Sequence, residues 1–158
     1  MTTKQITGND IGCWIDASCD SADTCNQRTV ETAVEYGMVL SDDDKKLLTR
    51  FDHDVTKEDD SQWLSELGDD AVSFLNGLDL PSYCYFEFED NSLFLLPSVE
   101  NAKEDVGFIS GGEDADLDDS DYPAADFRGE WLHVSDHGNA TLYCRNDDGK
   151  DTEIWSIV

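Results

Sequence analysis

Apolar residues in "DDSQWLSELGDDAVSFLNGL", residues 59–78, return at steps of three and four. Trp63, Leu67, Ala71, Phe74, Leu75 and Leu78 fall on one side, and Glu66, Asp69, Asp70 and Ser73 on the other. That period predicts an amphipathic helix. Gly77 ends it, and Pro81 prevents continuation because its ring removes a donor and clashes with the preceding turn. "CNQRTVETAVEYG" predicts an earlier helix, with Val30, Ala33 and Val34 on one face and Gly37 at the position after the cap. "SDDDKKLLTRF" predicts a short one: Ser41 and Asp44 make a capping box, and acids lead while Lys45, Lys46 and Arg50 follow, as the helix dipole favours.

The period then changes from helical to two. In "SYCYFEFEDNSLFLLP", Cys84, Phe86 and Phe88 alternate with Tyr83, Tyr85 and Glu87, and Asp90-Asn91 can reverse the chain. This predicts a β-hairpin. "DIGCWID" predicts a short first strand. "EWLHV", "ATLYCR" and "TEIWSIV" predict three more, joined by turns at His137-Gly138-Asn139 and Asp147-Asp148-Gly149. Residues 98–127 keep no period and are expected to form an acidic, irregular connection. The order of elements predicts one α+β domain over residues 1–158. Two or three N-terminal helices would pack on an antiparallel sheet made of the hairpin and a three-stranded C-terminal meander.

Composition leaves room for a core, since 158 residues include four Trp, five Tyr and seven Phe. Charge changes the picture. The net charge is −27, where solubility asks for a magnitude of about 2 to 8 in a small domain. Self-repulsion on that scale destabilises a compact state, so function or environment must offset it. Nucleic acid and anionic membranes are poor partners for such a surface, and basic surfaces are good ones. By stretch, the balance is −4 for residues 1–40, −8 for 41–80, −12 for 81–127 and −3 for 128–158. No apolar run reaches a membrane span and "MTTKQITGNDIG" does not read as a signal peptide, so a cytoplasmic protein is expected.

Candidate chemistry is sparse. Cys13, Cys19 and Cys25 recur every six residues, but structural zinc sites use pairs about two to four residues apart. Free thiols are expected, with a disulfide or a metal as the alternatives. Asp114, Asp116 and Asp118 match positions one, three and five of a calcium loop, yet Asp119 stands where Gly belongs and Ala125 where Glu belongs. His133 and His137, with Asp136 or Cys144, could ligate a metal, although a strand histidine and a turn histidine need no such role. His53 lies between Asp52 and Asp54 with no nucleophile at a matching spacing. Phosphate-binding glycine loops and hydrolase motifs are absent. The expectation is a protein with no enzymatic activity and no cofactor.

The acids themselves suggest recognition. Alternate residues of an extended chain stand about 6.6 Å apart, near the spacing of neighbouring phosphates. Asp114, Asp116 and Asp118, followed by Asp119 and Asp121, would present such a row. Asp42, Asp43 and Asp44 make a second cluster, Asp59 and Asp60 with Glu58 a third, and Glu66, Asp69 and Asp70 a fourth. Held on a rigid fold, these carboxylates could occupy a cleft built for DNA or RNA, with fast and salt-dependent binding. In size and charge the chain resembles the small acidic DNA-mimic proteins that phages and plasmids direct against restriction or CRISPR systems. "AVSFLNGLDLPSYCYFEFEDNSLFLLP" and "WLHVSDHGNATLYC", about a quarter of the chain, look like segments of small proteins of mobile elements. The resemblance implies inhibition by occlusion of a basic nucleic-acid-binding host protein or complex. It implies no direct nucleic-acid contact, no membrane and no chemistry, and a homodimer stays open.

Two other readings compete. Asp outnumbers Glu 26 to 11 and there are six Lys, as expected of a salt-adapted surface whose repulsion is screened. An acidic patch could also dock an ordinary basic protein without imitating nucleic acid. Residues 110–126 taken alone read equally as a solvated spacer.

Overall fold

The computed structural model describes residues 4–51, 58–112, 122–135 and 137–158. Among them are four α-helices and seven strands, so the α+β class holds. The strands make two sheets where one was expected. The first has the order β1-β3-β2, from β1 (Gly12–Asp16), β2 (Cys84–Glu89) and β3 (Ser92–Pro97). The second has the order β4-β5-β6-β7, from β4 (Phe108–Gly112), β5 (Gly129–Ser135), β6 (Ala140–Arg145) and β7 (Asp151–Ile157). The described residues gather into two compact units. One draws on Gly12–Asp79 and Tyr85–Leu96, the other on Ile6–Ile11, Leu80–Cys84 and Pro97–Val158.

In the first unit, α1 (Ala22–Glu35) begins at Ser21, whose hydroxyl accepts from the Thr24 amide at 3.2 Å. It ends in a Schellman motif: Met38 N–H reaches the Ala33 carbonyl, Gly37 N–H reaches that of Val34, and Gly37 takes φ +109°. α1 packs on α3 (Glu58–Asn76), burying Cys25, Asn26, Thr29, Val30 and Ala33 against Leu64, Leu67, Ala71 and Leu75. Each fully buried Leu adds about 2 kcal/mol relative to exposure. Gly68 faces Asn26 so closely that a Cβ there would overlap the amide, so this glycine sets the helix separation.

The buried stripe of α3 is therefore centred on Leu64, Gly68, Ala71 and Leu75, turned from the expected one. Trp63 is not core; it stays 38% exposed at the helix edge. On α1, Val34 is likewise exposed rather than buried with Val30 and Ala33.

The hairpin β2–β3 forms as expected. Asp90 and Asn91 take φ +46° and +57°, the left-handed pair of a type I′ turn. Ile15, Phe86, Leu93 and Leu95 are the sheet's buried apolar residues, and Trp14 meets Phe86 edge-on at 4.7 Å. β2 is an edge strand. The Asn76 side chain covers part of that edge by donating to the Phe86 carbonyl at 3.0 Å and accepting from its N–H at 2.6 Å.

In the second unit the meander β5-β6-β7 forms as expected, with Gly138 and Gly149 at positive φ in its turns. Residues 98–127 are not irregular throughout. They contain α4 (Val99–Asp105), capped by Ser98, and β4, which runs parallel to β5 in the register Phe108↔Trp131 and Ser110↔His133. Ala102, Leu132, Ala140, Leu142 and Trp155 make the core on one face of the sheet. On the other face Trp131 stacks on Tyr143 at 4.5 Å, with Phe108 and Tyr122 around it. Among the described residues no helix is long and apolar enough to cross a membrane.

A candidate acidic interface

α2 (Asp42–Phe51) opens with its three aspartates. The capping box is made: Asp44 N–H donates to Ser41 Oγ at 3.1 Å, and Ser41 N–H donates to Asp44 Oδ2 at 3.3 Å. Asp44 also accepts from Trp63 Nε1 at 3.0 Å. Its carboxylate is thus occupied on both oxygens and serves to tie α2 to α3. Asp42 and Asp43 are exposed, and Lys45 and Lys46 lean onto them at 3.4 and 2.8 Å. The Lys46 hydrogen bond and charge hold the Asp43 carboxyl below its ordinary value. Exposed pairs of this kind are screened by solvent, contribute little and break easily when a stronger cation approaches.

The indole–carboxylate bond sets the first turn of α2 beside the Trp63 turn of α3. From Trp63, Glu66 and Asp70 follow at three and seven residues on the same side, with Asp69 next to them. This stripe lies opposite the buried one. Glu66 accepts from Gln62 at 3.1 Å. Among the described residues no cation pairs with Asp69 or Asp70. Glu66 and Asp70 are about 6 Å apart along the helix axis. The helix that carries them is fixed by its buried face, so their positions are held by the core.

Asp60 has another role. It is buried, and Arg50 Nη2 meets its Oδ1 at 3.0 Å. This ion pair joins α2 to α3 and withdraws Asp60 from the surface. The side chain of Asp59, and residues Asp114, Asp116, Asp118, Asp119 and Asp121, lie outside the described residues. The structure therefore brings together Asp42, Asp43, Glu66, Asp69 and Asp70 as exposed carboxylates, and it uses Asp44 and Asp60 as struts.

Further exposed acids were not singled out from the sequence. Glu87 and Glu89 point outward on β2, two residues apart, and Asp90 follows in the turn. The alternation that predicted the hairpin also carried this signal. Asp16, Glu89 and Asp90, with Cys13, Ser92 and Phe94, line a cleft of about 450 Å³ in the first unit. Ser18 donates to Asp16 through both its hydroxyl and its N–H, which holds that carboxyl below its ordinary value.

Other candidate chemistry is not assembled. All five cysteines are free, with Cys13 and Cys19 exposed and Cys25 buried. Among the described residues no group of three His, Cys, Asp or Glu could hold a metal ion. His133 is buried in β5, while His137 is exposed in the following turn. His53 and residues 113–121 lie outside the described residues, and with them most of the calcium-loop candidate. The chain matches no family model, no curated protein and no solved structure.

Charge is spread more evenly in space than along the chain. The sequence stretches of the first unit, with Met1–Gln5, carry 20 acids and six cations; those of the second carry 17 and four. Several cations are already engaged. Besides the pairs above, Arg28 lies 3.6 Å from Asp20, Lys103 lies 2.9 Å from Glu100, and Arg145 pairs with Asp151.

Proposed function

We propose that this chain is an acidic, nucleic-acid-mimicking inhibitor, cytoplasmic in its host, without catalysis or cofactor. Its carboxylates occupy the basic groove of a host nucleic-acid-binding protein or complex of the restriction or CRISPR type. The observation that supports this reading best is the stripe Glu66–Asp69–Asp70 with Asp42 and Asp43 beside it. It is exposed, weakly neutralised and held by a packed helix. Fixed anions lose little freedom on binding, and they attract the Lys and Arg side chains that otherwise meet phosphates.

The test is capture of a nucleic-acid-binding protein from host lysate in dilute buffer, followed by challenge with duplex DNA. Release by DNA, and by rising salt, supports the reading. Retention against excess DNA favours docking onto a basic protein without mimicry. A partner that ignores Glu66→Gln/Asp69→Asn/Asp70→Asn excludes the α3 stripe as the contact.

The near-equal sharing of charge between the units favours a second reading, a salt-adapted surface of unrelated function. Folding only in concentrated salt would establish it.

A further inference from the structure

The strands of the second sheet carry a row of polar side chains in register: Ser110 on β4, His133 on β5, Thr141 on β6 and Ser156 on β7. The row lies on the face opposite Leu132, Leu142 and Trp155. Thr141 and Ser156 hydroxyls are 2.9 Å apart, and Ser110 Oγ is 2.9 Å from His133 Nδ1. His133 is only 8% exposed, yet its Nε2 has no hydrogen-bond partner, and neither has the buried Ser135 Oγ. Such groups are costly to leave unpaired in a folded protein. Both residues line a cavity of about 190 Å³, together with Asn139, Thr141, Ser156, Ile157 and Val158.

Ser110 Oγ pairs with His133 Nδ1; with the hydroxyl as donor, the neutral ring carries its proton on Nε2, the ring atom left without a partner. Ser135 adds a second hydroxyl. In the Thr141–Ser156 pair one hydroxyl donates to the other, leaving one O–H free. Converging donors call for a ligand rich in acceptors. No side chain among the described lining residues is acidic, although the chain has 37 acids. The volume is below the roughly 300 Å³ at which drug-sized pockets begin, so the ligand has few heavy atoms.

We propose that this cavity is a binding site for a small oxyanion, held by His133 Nε2–H and the Ser135 hydroxyl. A short-chain carboxylate and inorganic phosphate share that chemistry. The site is independent of the acidic stripe on α3. The surrounding acids oppose anion entry only weakly at physiological salt, where screening acts within about 8 Å.

The test is titration of the ¹⁵N-labelled full chain with sodium acetate and, separately, sodium phosphate, each against sodium chloride at equal ionic strength and pH. Saturable shifts at the Ser135, Asn139 and Thr141 amides and at the His133 imidazole are expected with at least one oxyanion, and the comparison identifies which. His133→Phe should abolish saturation, and Ser135→Ala, the milder change, should weaken it about tenfold, the loss of one hydrogen bond. Shifts that stay linear, that chloride reproduces, or that survive in a folded Ser135→Ala protein at unchanged half-saturation overturn the proposal and leave a cavity filled by water.

Discussion

Arg145 and Asp151 face each other across β6 and β7 in a two-pronged ion pair, Nε to Oδ1 at 2.8 Å and Nη2 to Oδ2 at 2.7 Å. The pair also organises its surroundings. Trp131 Nε1 donates to Asp151 Oδ1 at 3.0 Å, and Arg145 Nη1 donates to the carbonyls of Pro123 and Ala124. One salt bridge thus fastens the end of the meander to the segment that crosses the stacked Trp131 and Tyr143.

Asp151→Asn is expected to lower stability by about 3 kcal/mol, because it leaves a largely buried guanidinium without its counter-charge. Chemical denaturation at neutral pH measures it. The pH dependence follows from the same contact. The Arg145 hydrogen bonds, and then that of Trp131, hold the Asp151 carboxyl below its ordinary value in the folded chain. Its contribution is therefore full above the unfolded value near pH 3.9 and fades as pH falls through the lower, folded one. Wild type and Asp151→Asn should differ most near neutrality and converge in strong acid. A difference that is flat down to strong acid would show that the carboxylate's charge is not what stabilises.

Four of the five thiols should divide into two groups. Cys13 and Cys19 are exposed, whereas burial pushes Cys84 up to about 12 and raises Cys25 as well. The thiolate is the reacting form, so raised values and burial both protect. Native protein treated with iodoacetamide near pH 8 should alkylate at Cys13 and Cys19, leaving Cys25 and Cys84 unmodified until denaturant is added. Peptide mass spectrometry reads this directly. Early labelling of Cys84 would mean that its strand end opens.

Local signals carried the elements that were legible in the sequence. Asp90-Asn91 between alternating residues gave the hairpin, Ser41 with Asp44 gave the start of α2, and Gly37 gave the end of α1. The elements that escaped depend on distant partners. β4 is five residues long, and its strand character comes from parallel pairing to β5 about twenty residues later. Nothing within "FISGG" announces that partner. Trp63 was misplaced because the close approach at Gly68 turned the buried stripe of α3, which only the α1 contact reveals. The same holds for the candidate sites. Counting acids found Glu66, Asp69 and Asp70, but it could not separate them from Asp60, whose burial depends on Arg50 ten residues away. His133 was legible as a strand histidine, while its unpaired Nε2 is a property of packing.

The acids of α3 should cost stability while they serve recognition. Glu66 stands three and four residues before Asp69 and Asp70, spacings at which like charges repel by a few tenths of a kcal/mol per pair. None of the three is held by a described cation, so neutralising them breaks no ion pair among the described residues. Glu66→Gln/Asp69→Asn/Asp70→Asn should therefore melt at the same temperature as wild type or higher in dilute buffer. The gap should close near 1 M salt, where the screening length falls to about 3 Å. Thermal unfolding of both proteins across a salt series decides it. A salt-adapted surface behaves differently: wild type would be unfolded in dilute buffer and would need concentrated salt to fold, and mimicry would lose its main support. A variant less stable than wild type at every salt concentration would instead show that these carboxylates hold the fold together, and the α3 stripe would no longer be a surface kept for a partner.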